Sequence, residues 1–248
     1  MRQSANRPSA LTLIELMIVI SVVGVLGALL LPAISKAKRS AKRTVCLNHA
    51  RQISAGVRMY ADDMEDLGPS KTSGKKSLDG WTAYKQLLRS YVGQSGASSA
   101  DDRLFACPSD TYHYGFTPAS PTAYDYIAEP IHKQRWSDYS SYGFNGGNTR
   151  TNPLTGVPFP GIAGRKLSAI KDPSKTILLA ELPAFYCFSW HEPQRPTFPH
   201  YFNNAANMAA FVDGHVGYIP FFYDSKQGQN EAWQYDPPAG YDYKWSAD

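Results

Sequence analysis

Three cysteines, Cys46, Cys107 and Cys187, are all that this chain of 248 residues carries. They permit one disulfide and leave one thiol over, so the fold rests on a packed core and not on a disulfide framework. Acidic residues are missing over a long reach, with none between Glu15 and Asp62. The basic residues Lys36, Lys38, Arg39, Lys42 and Arg43 in that gap account for the net charge of +4, and the rest of the chain is near neutral. A single-strand nucleic-acid binder interleaves such a run with aromatic side chains for stacking, and residues 36–43 (KAKRSAKR) have none. Chemical signatures are wanting too. No DxDxDG-type spacing marks a calcium loop, and no nucleophile elbow marks a hydrolase.

What the chain does have is one long apolar stretch, residues 11–35, LTLIELMIVISVVGVLGALLLPAIS. It carries a single charge, Glu15, followed by 20 uncharged residues up to Lys36. At about 1.5 Å per residue these form a helix of roughly 30 Å, one hydrocarbon thickness. A cleaved secretory signal has an apolar region of about 7–15 residues and small residues at its cut site. This run is longer, and Lys36 follows it directly. A buried core helix is shorter and amphipathic, whereas this one is apolar all round. The stretch reads as a membrane anchor.

Glu15 does not suit a plain anchor. A carboxylate at membrane depth costs on the order of 2–3 kcal/mol and asks for a partner. Near the helix end it can snorkel to the interface. A second answer starts from residues 1–10, MRQSANRPSA, a polar leader with two arginines and no acid. A cut after Ala10 creates an α-amine on Leu11, one helical turn before Glu15 and opposite in charge. Between chains such a pair sets register, because an unpaired charge in an apolar bundle is penalised.

Ala10-Leu11-Thr12-Leu13-Ile14-Glu15-Leu16 resembles the processing site of type IV prepilins. The resemblance implies a prepilin peptidase that cuts before the apolar run and methylates the new N-terminus, here Leu11. It implies that Glu15 guides docking into a filament. This chain has Ala10 where the family usually has Gly, and Leu11 where it has Phe or Met. Gly24, Gly27 and Pro32 also match the family. Pro32 removes a backbone donor and should kink the helix.

Past Pro32 the pattern turns amphipathic. Cys46, Ala50, Ile53, Val57, Tyr60, Met64 and Leu67 recur at spacings of four and three, opposite Asn48, Arg51, Arg58, Asp62 and Asp66. Gly68-Pro69 supplies a stop. One helix of roughly 50 residues from Leu11 to about Asp62 is expected, near 75 Å long. The positive-inside rule taken alone would put the C-terminal domain in the cytoplasm. Cysteine usage and the resemblance imply the opposite, an extracytoplasmic domain with the five basic residues at the lipid headgroups.

The remainder is loop-rich and β-leaning, with 16 Tyr, 18 Pro and 19 Gly. Residues 68–80 form a polar loop. Residues 81–92 predict a short helix with Trp81, Tyr84, Leu88 and Tyr91 on one side. Residues 111–168 look like a long insertion holding a short strand at 142–145. A turn at 171–174 leads into an apolar strand, Thr176 to Glu181. A bridge between Cys46 and Cys107 would close a span of about sixty residues and stabilise by roughly 4 kcal/mol in the chain-entropy model. The pairings Cys46–Cys187 and Cys107–Cys187 stay open. Asp213-Gly214 between two apolar runs is a hairpin signal for a two-residue type I′ turn. That register pairs Val212 with His215, Phe211 with Val216 and Ala209 with Tyr218. It places Phe211, Val216, Ala209 and Tyr218 on one face against the long helix. The tail after it is aromatic and irregular.

This half resembles a prepilin-like group described by a His–nine–Asp-Gly signature, through CLNHARQISAGVRMYADD, CPSD at 107–110, KDPSKTILLAE and ANMAAFVDGHV. Here twelve residues separate His200 from Asp213. His191, His200, Asp213 and His215 do not read as a converging metal set, since Asp213 serves the turn and His191 and His200 lie in a Pro-rich loop. Ser189 and Cys187 lack a nucleophile's setting beside His191. No metal ligand, cofactor or catalytic residue is expected, with calcium kept open through the pseudopilins the chain resembles.

The expected architecture is α+β, a pilin-like lollipop with a long N-terminal helix packed on a small antiparallel sheet with irregular insertions. Its parts are a leader at 1–10, a membrane and assembly half at 11–35, an amphipathic half at 36–67 and a globular domain at 68–248. The resemblance implies a structural, non-enzymatic subunit of a type II secretion pseudopilus or a type IV pilus-like filament. Its partners would be prepilin peptidase, other pilin or pseudopilin subunits and the bacterial inner membrane, with no nucleic acid. The alternatives are an anchored module that binds carbohydrate or surfaces through its aromatic loops and never polymerises, and an anchored enzyme.

Overall fold

A computed structural model describes residues 12–70, 81–82, 84–117, 120–192, 201–224 and 231–248. The chain divides into two compact units, residues 1–41 and 42–248. One α-helix, α1 (Leu13–Asp63), contributes to both. Pro32 lies inside α1, so the helix continues past it although the Ala28 carbonyl loses its usual i+4 donor. No residue from 13 to 41 is buried, and Leu13, Leu29 and Leu31 are each more than 60% exposed. The helix is long and apolar enough to cross a membrane.

In the second unit α1 buries Cys46, Ala50, Ile53, Ser54, Gly56, Val57 and Ala61, while Asn48, Arg51, Arg58 and Asp62 stay exposed. The expected apolar face therefore holds as far as Val57 and then runs on to Ala61. Met64 and Leu67 are exposed and lie beyond the helix, which ends before Gly68-Pro69. Glu65 and Asp66 take positive φ of 54° and 69° there, and the Asp66 N–H returns to the Ala61 carbonyl at 2.8 Å. Only a turn of the predicted helix at 81–92 forms, as α2 (Tyr84–Leu88), with Trp81, Tyr84 and Leu88 buried.

Lys85, on α2, is fully buried, which its position in a polar-looking segment did not announce. Its ammonium meets Asp102 at 2.9 Å and donates to the carbonyls of Asp138 and Tyr139 at 2.9 and 3.0 Å. Arg89 reaches the same Asp102 oxygen at 2.7 Å. Burial works to raise the Asp102 pKa, but the Ser99 N–H, Lys85 and Arg89 outweigh it and hold the carboxyl below its ordinary range. Removing one partner of a buried pair strands the other charge. Asp102→Asn is expected to cost about 2 kcal/mol, less than for a wholly enclosed pair because Asp102 keeps some solvent, and urea midpoints check it.

Residues 111–168 are only partly decoration. A two-stranded antiparallel ribbon, β1 (His113–Thr117) with β2 (Ser120–Ile127), stands there as a sheet of its own. Further on, β3 (Tyr142–Phe144) is buried and forms one edge of the main sheet. The main sheet continues through β4 (Ile177–Glu181), β5 (Ala205–Phe211) and β6 (Val216–Phe221), in the order β3-β4-β5-β6 and antiparallel throughout. A short helix, α3 (Leu182–Phe185), follows β4. Six of the seven β5 residues are buried, as a strand covered on both faces should be.

The β5–β6 register differs by one residue from the sequence expectation. Ala210 pairs with Val216, Ala209 with Gly217 and Met208 with Tyr218. Val212, Asp213 and Gly214 form a three-residue loop, with the Gly214 N–H on the Phe211 carbonyl and the Phe211 N–H on the His215 carbonyl. This is a type I turn closed by a glycine bulge, and Gly214 has φ of 96°. The cause is local. The N–H groups of Val212 and Asp213 donate to the carbonyls of Thr176 and Pro173, so Val212 is not free to pair with His215. Tyr218 and Val216 consequently share a face with Met208 and Ala210, not with Ala209 and Phe211. That face meets α1, where the Arg43 guanidinium lies 4.2 Å from the Tyr218 ring centroid and the Tyr142 hydroxyl donates to the Cys46 carbonyl.

The opposite face is closed by aromatics from the tail. Trp245 packs on Phe185 and Phe221, with centroids 5.0 and 5.8 Å apart, and Tyr243 packs on Phe221 at 4.8 Å. Trp233 meets the Trp81 ring edge-on at 4.3 Å. The tail has little regular structure, yet it is core. Asn145 ties it down by donating to the carbonyls of Ile177 and Trp245, both at 2.8 Å.

Candidate functional site

Two places concentrate the chemistry, one at the start of α1 and one buried behind the main sheet. Ala10 and Leu11 lie outside the described residues. At the start of α1, Thr12 and Glu15 form a reciprocal cap. The Glu15 carboxylate accepts from the Thr12 N–H at 2.8 Å and from its hydroxyl at 2.7 Å. The Glu15 N–H returns to the Thr12 hydroxyl at 3.3 Å. A Thr-x-x-Glu spacing is a capping box, and it satisfies two of the four donors that a helix start leaves unpaired. The Thr-x-x-Glu spacing signals this local role in the sequence, beside the docking role that the resemblance implies for Glu15.

The second place begins with the disulfide between Cys46 on α1 and Cys107, whose Cα atoms are 5.3 Å apart. This settles the pairing left open by the sequence. Cys187 is the free, buried cysteine. Its thiol lies against the Phe222 carbonyl, and burial pushes its pKa far up, so it stays protonated and unreactive.

The CPSD segment places Cys107 through Asp110. That buried carboxylate accepts from the N–H groups of Ile131 and His132 at 2.8 and 2.9 Å, and from the Ser141 hydroxyl at 2.7 Å. His132 Nδ1 also lies 2.8 Å from it. Ser141 Oγ in turn accepts the Cys107 N–H at 2.9 Å. Against the disulfide sit Glu181, the last residue of β4, and His191. His191 Nε2 is 3.0 and 3.2 Å from the two Glu181 oxygens and 3.9 Å from Cys107 Sγ. Glu181 also accepts the Met208 N–H at 3.0 Å. Neither side chain reaches solvent, at 0% exposure for Glu181 and 2% for His191.

Among the described residues, the others singled out in the sequence do not join this cluster. Asp213 accepts the His215 N–H at 3.0 Å and faces His215 Nδ1 at 2.6 Å, while the His215 ring stacks on Phe211 at 4.1 Å. The turn role expected for Asp213 and Gly214 therefore stands, in the altered register. His200 lies outside the described residues. Ser189 donates to the Ala206 carbonyl and accepts the His191 N–H, which makes it a backbone strut. A groove of about 430 Å³ beside the turn is lined by Arg58, Asp62, Asp66, Ser168 and Asp213. Asp66 is taken up by Ser168, and Arg58 donates to the Val212 carbonyl.

No protein-family model, no curated protein and no solved structure matches this chain.

Proposed function

We propose that this protein is a pilin-like structural subunit. It is held in a membrane by the N-terminal part of α1 and assembles through that same segment into a pseudopilus or type IV pilus-like filament. The observation that carries the reading is the make-up of α1. One unbroken helix of 51 residues has an unburied apolar stretch with a single charge, Glu15, and then an amphipathic stretch that packs on an antiparallel sheet. An anchor alone needs about 20 apolar residues and no continuous helix into the domain. An assembly element that carries a domain is joined to it directly by such a helix. The resemblance of residues 10–16 to a prepilin processing site supports the reading, with prepilin peptidase and other subunits as partners and the C-terminal domain extracytoplasmic.

N-terminal mass analysis tests it. The protein recovered from cells with active prepilin peptidase is expected to begin at N-methylated Leu11. An intact Met1 in such cells would sink the filament reading and leave an anchored, non-polymerising binding module in its place.

A further inference from the structure

Cys46, Cys107, Glu181 and His191 bring two sulfurs, a carboxylate oxygen and an imidazole nitrogen within 4.8 Å of one another. They come from four separate places in the chain: α1, the CPSD segment, the end of β4 and the segment after α3. This is the one cluster of such donors among the described residues. We propose that it is a four-ligand zinc site that forms when the disulfide is reduced, so that the disulfide and the metal are alternative cross-links at one point.

The distances support this. In tetrahedral zinc sites Zn–S is about 2.3 Å and Zn–N or Zn–O about 2.0–2.2 Å, which puts neighbouring ligand atoms roughly 3.3–3.8 Å apart. Here Cys107 Sγ to His191 Nε2 is 3.9 Å and His191 Nε2 to Glu181 Oε1 is 3.0 Å. Once the bond between them is cleaved, the two sulfurs must move apart to about 3.8 Å, and the donors, all within 4.8 Å of one another, then need only close on a common centre. The surroundings suit a ligand set as well. The Met208 N–H orients the Glu181 carboxylate, and the Asp110–Ser141 chain fixes the Cys107 backbone, as outer partners of metal ligands do. A disulfide by itself gives no reason to enclose a carboxylate and an imidazole beside it, since it carries no charge and takes only weak hydrogen bonds. Two thiolates and zinc do give one.

The chemistry balances through a dithiol reductant. Its two thiols supply two electrons and two protons. They cleave the Cys46–Cys107 bond to two thiols, and the reductant becomes a disulfide. Zinc then binds as the two thiols lose their protons, with His191 ligating through a lone pair on Nε2 and Glu181 through one oxygen. Four protein ligands leave no open position, so the site is structural and not catalytic. A borderline-soft divalent ion suits mixed sulfur, nitrogen and oxygen donors, while calcium takes oxygen alone. The proposal does not depend on filament assembly.

The test uses the full chain in detergent, oxidised or reduced with a phosphine, dialysed against zinc and then against buffer. One zinc per chain is expected in the reduced protein and none in the oxidised one. Cobalt added to the reduced chain is expected to give a thiolate charge-transfer band and the intense visible bands of a tetrahedral centre. His191→Ala and Glu181→Gln should each weaken zinc binding at least tenfold, and Cys187→Ser should leave it unchanged. Near-UV circular dichroism runs in parallel. If reduction disturbs the fold, zinc is expected to restore the native signal in the wild type and not in His191→Ala. The proposal is overturned if the reduced chain takes up no zinc, if zinc fails to restore a disturbed fold, or if the variants bind as tightly as the wild type.

Discussion

Glu15→Gln is expected to abolish filament assembly while leaving the folded unit of residues 42–248 intact. The substitution is chosen because Glu15 has two candidate roles. As the far end of a capping box it accepts from the Thr12 N–H and hydroxyl, and glutamine can accept in the same way. As a docking charge it meets a neighbouring subunit's new α-amine, and glutamine cannot. Thr12→Ala is the mirror experiment. It removes the hydroxyl from the cap, worth about 1 kcal/mol at a helix start, and keeps the charge. Filaments counted by electron microscopy should vanish with Glu15→Gln and Glu15→Ala and persist, somewhat reduced, with Thr12→Ala. The reverse pattern would make Glu15 a helix cap and nothing more. Neither change touches the second unit, so its near-UV circular dichroism should match the wild type.

Trp245→Ala should be the most damaging single truncation in the globular unit, at about 3–5 kcal/mol. Trp245 is among the largest fully buried side chains and contacts Phe185, Phe221 and Tyr243. Its removal empties the layer that closes the sheet face away from α1. The indole N–H is buried without a hydrogen-bond partner. Phenylalanine gives up some volume but also removes that unpaired donor, a burden of about 1–3 kcal/mol when buried. Trp245→Phe is therefore expected to cost much less than Trp245→Ala in urea unfolding followed by circular dichroism. Small costs for both would mean that the tail contributes little to the core.

The sequence announced the parts of this fold that rest on periodicity. The apolar run, the 46–50–53–57 face of α1 and the strand 177–181 follow from patterns that neighbouring residues set among themselves. What it did not announce depends on distant partners. The hairpin register turned on the carbonyls of Pro173 and Thr176, which hold Val212 and Asp213 from another part of the chain. Asp-Gly suits both the two-residue turn and the bulged one, since each needs a positive φ at glycine. The burial of Trp245 followed from long-range packing, and the tail has no periodicity to reveal it. The Cys46 and Cys107 pair was legible as one of three possibilities. Glu181 and His191 were not, because only the ordering of β4 and the segment after α3 brings them to the sulfurs. One signal was available, a carboxylate closing the apolar strand Ile177-Leu178-Leu179-Ala180, where a charge needs a buried partner.

The Cys46–Cys107 bridge also has a mechanical consequence. A pull on the N-terminal part of α1 reaches Cys46 only a few residues into the second unit. There the sulfur bridge offers the load a covalent path to Cys107. The chain between the two cysteines, a separation of 61 residues, cannot be drawn out while the bridge holds. That stretch holds about 200 Å of slack when fully extended. A chain tugged by its helix would keep that length locked, and reduction without a metal to replace the bridge would release it.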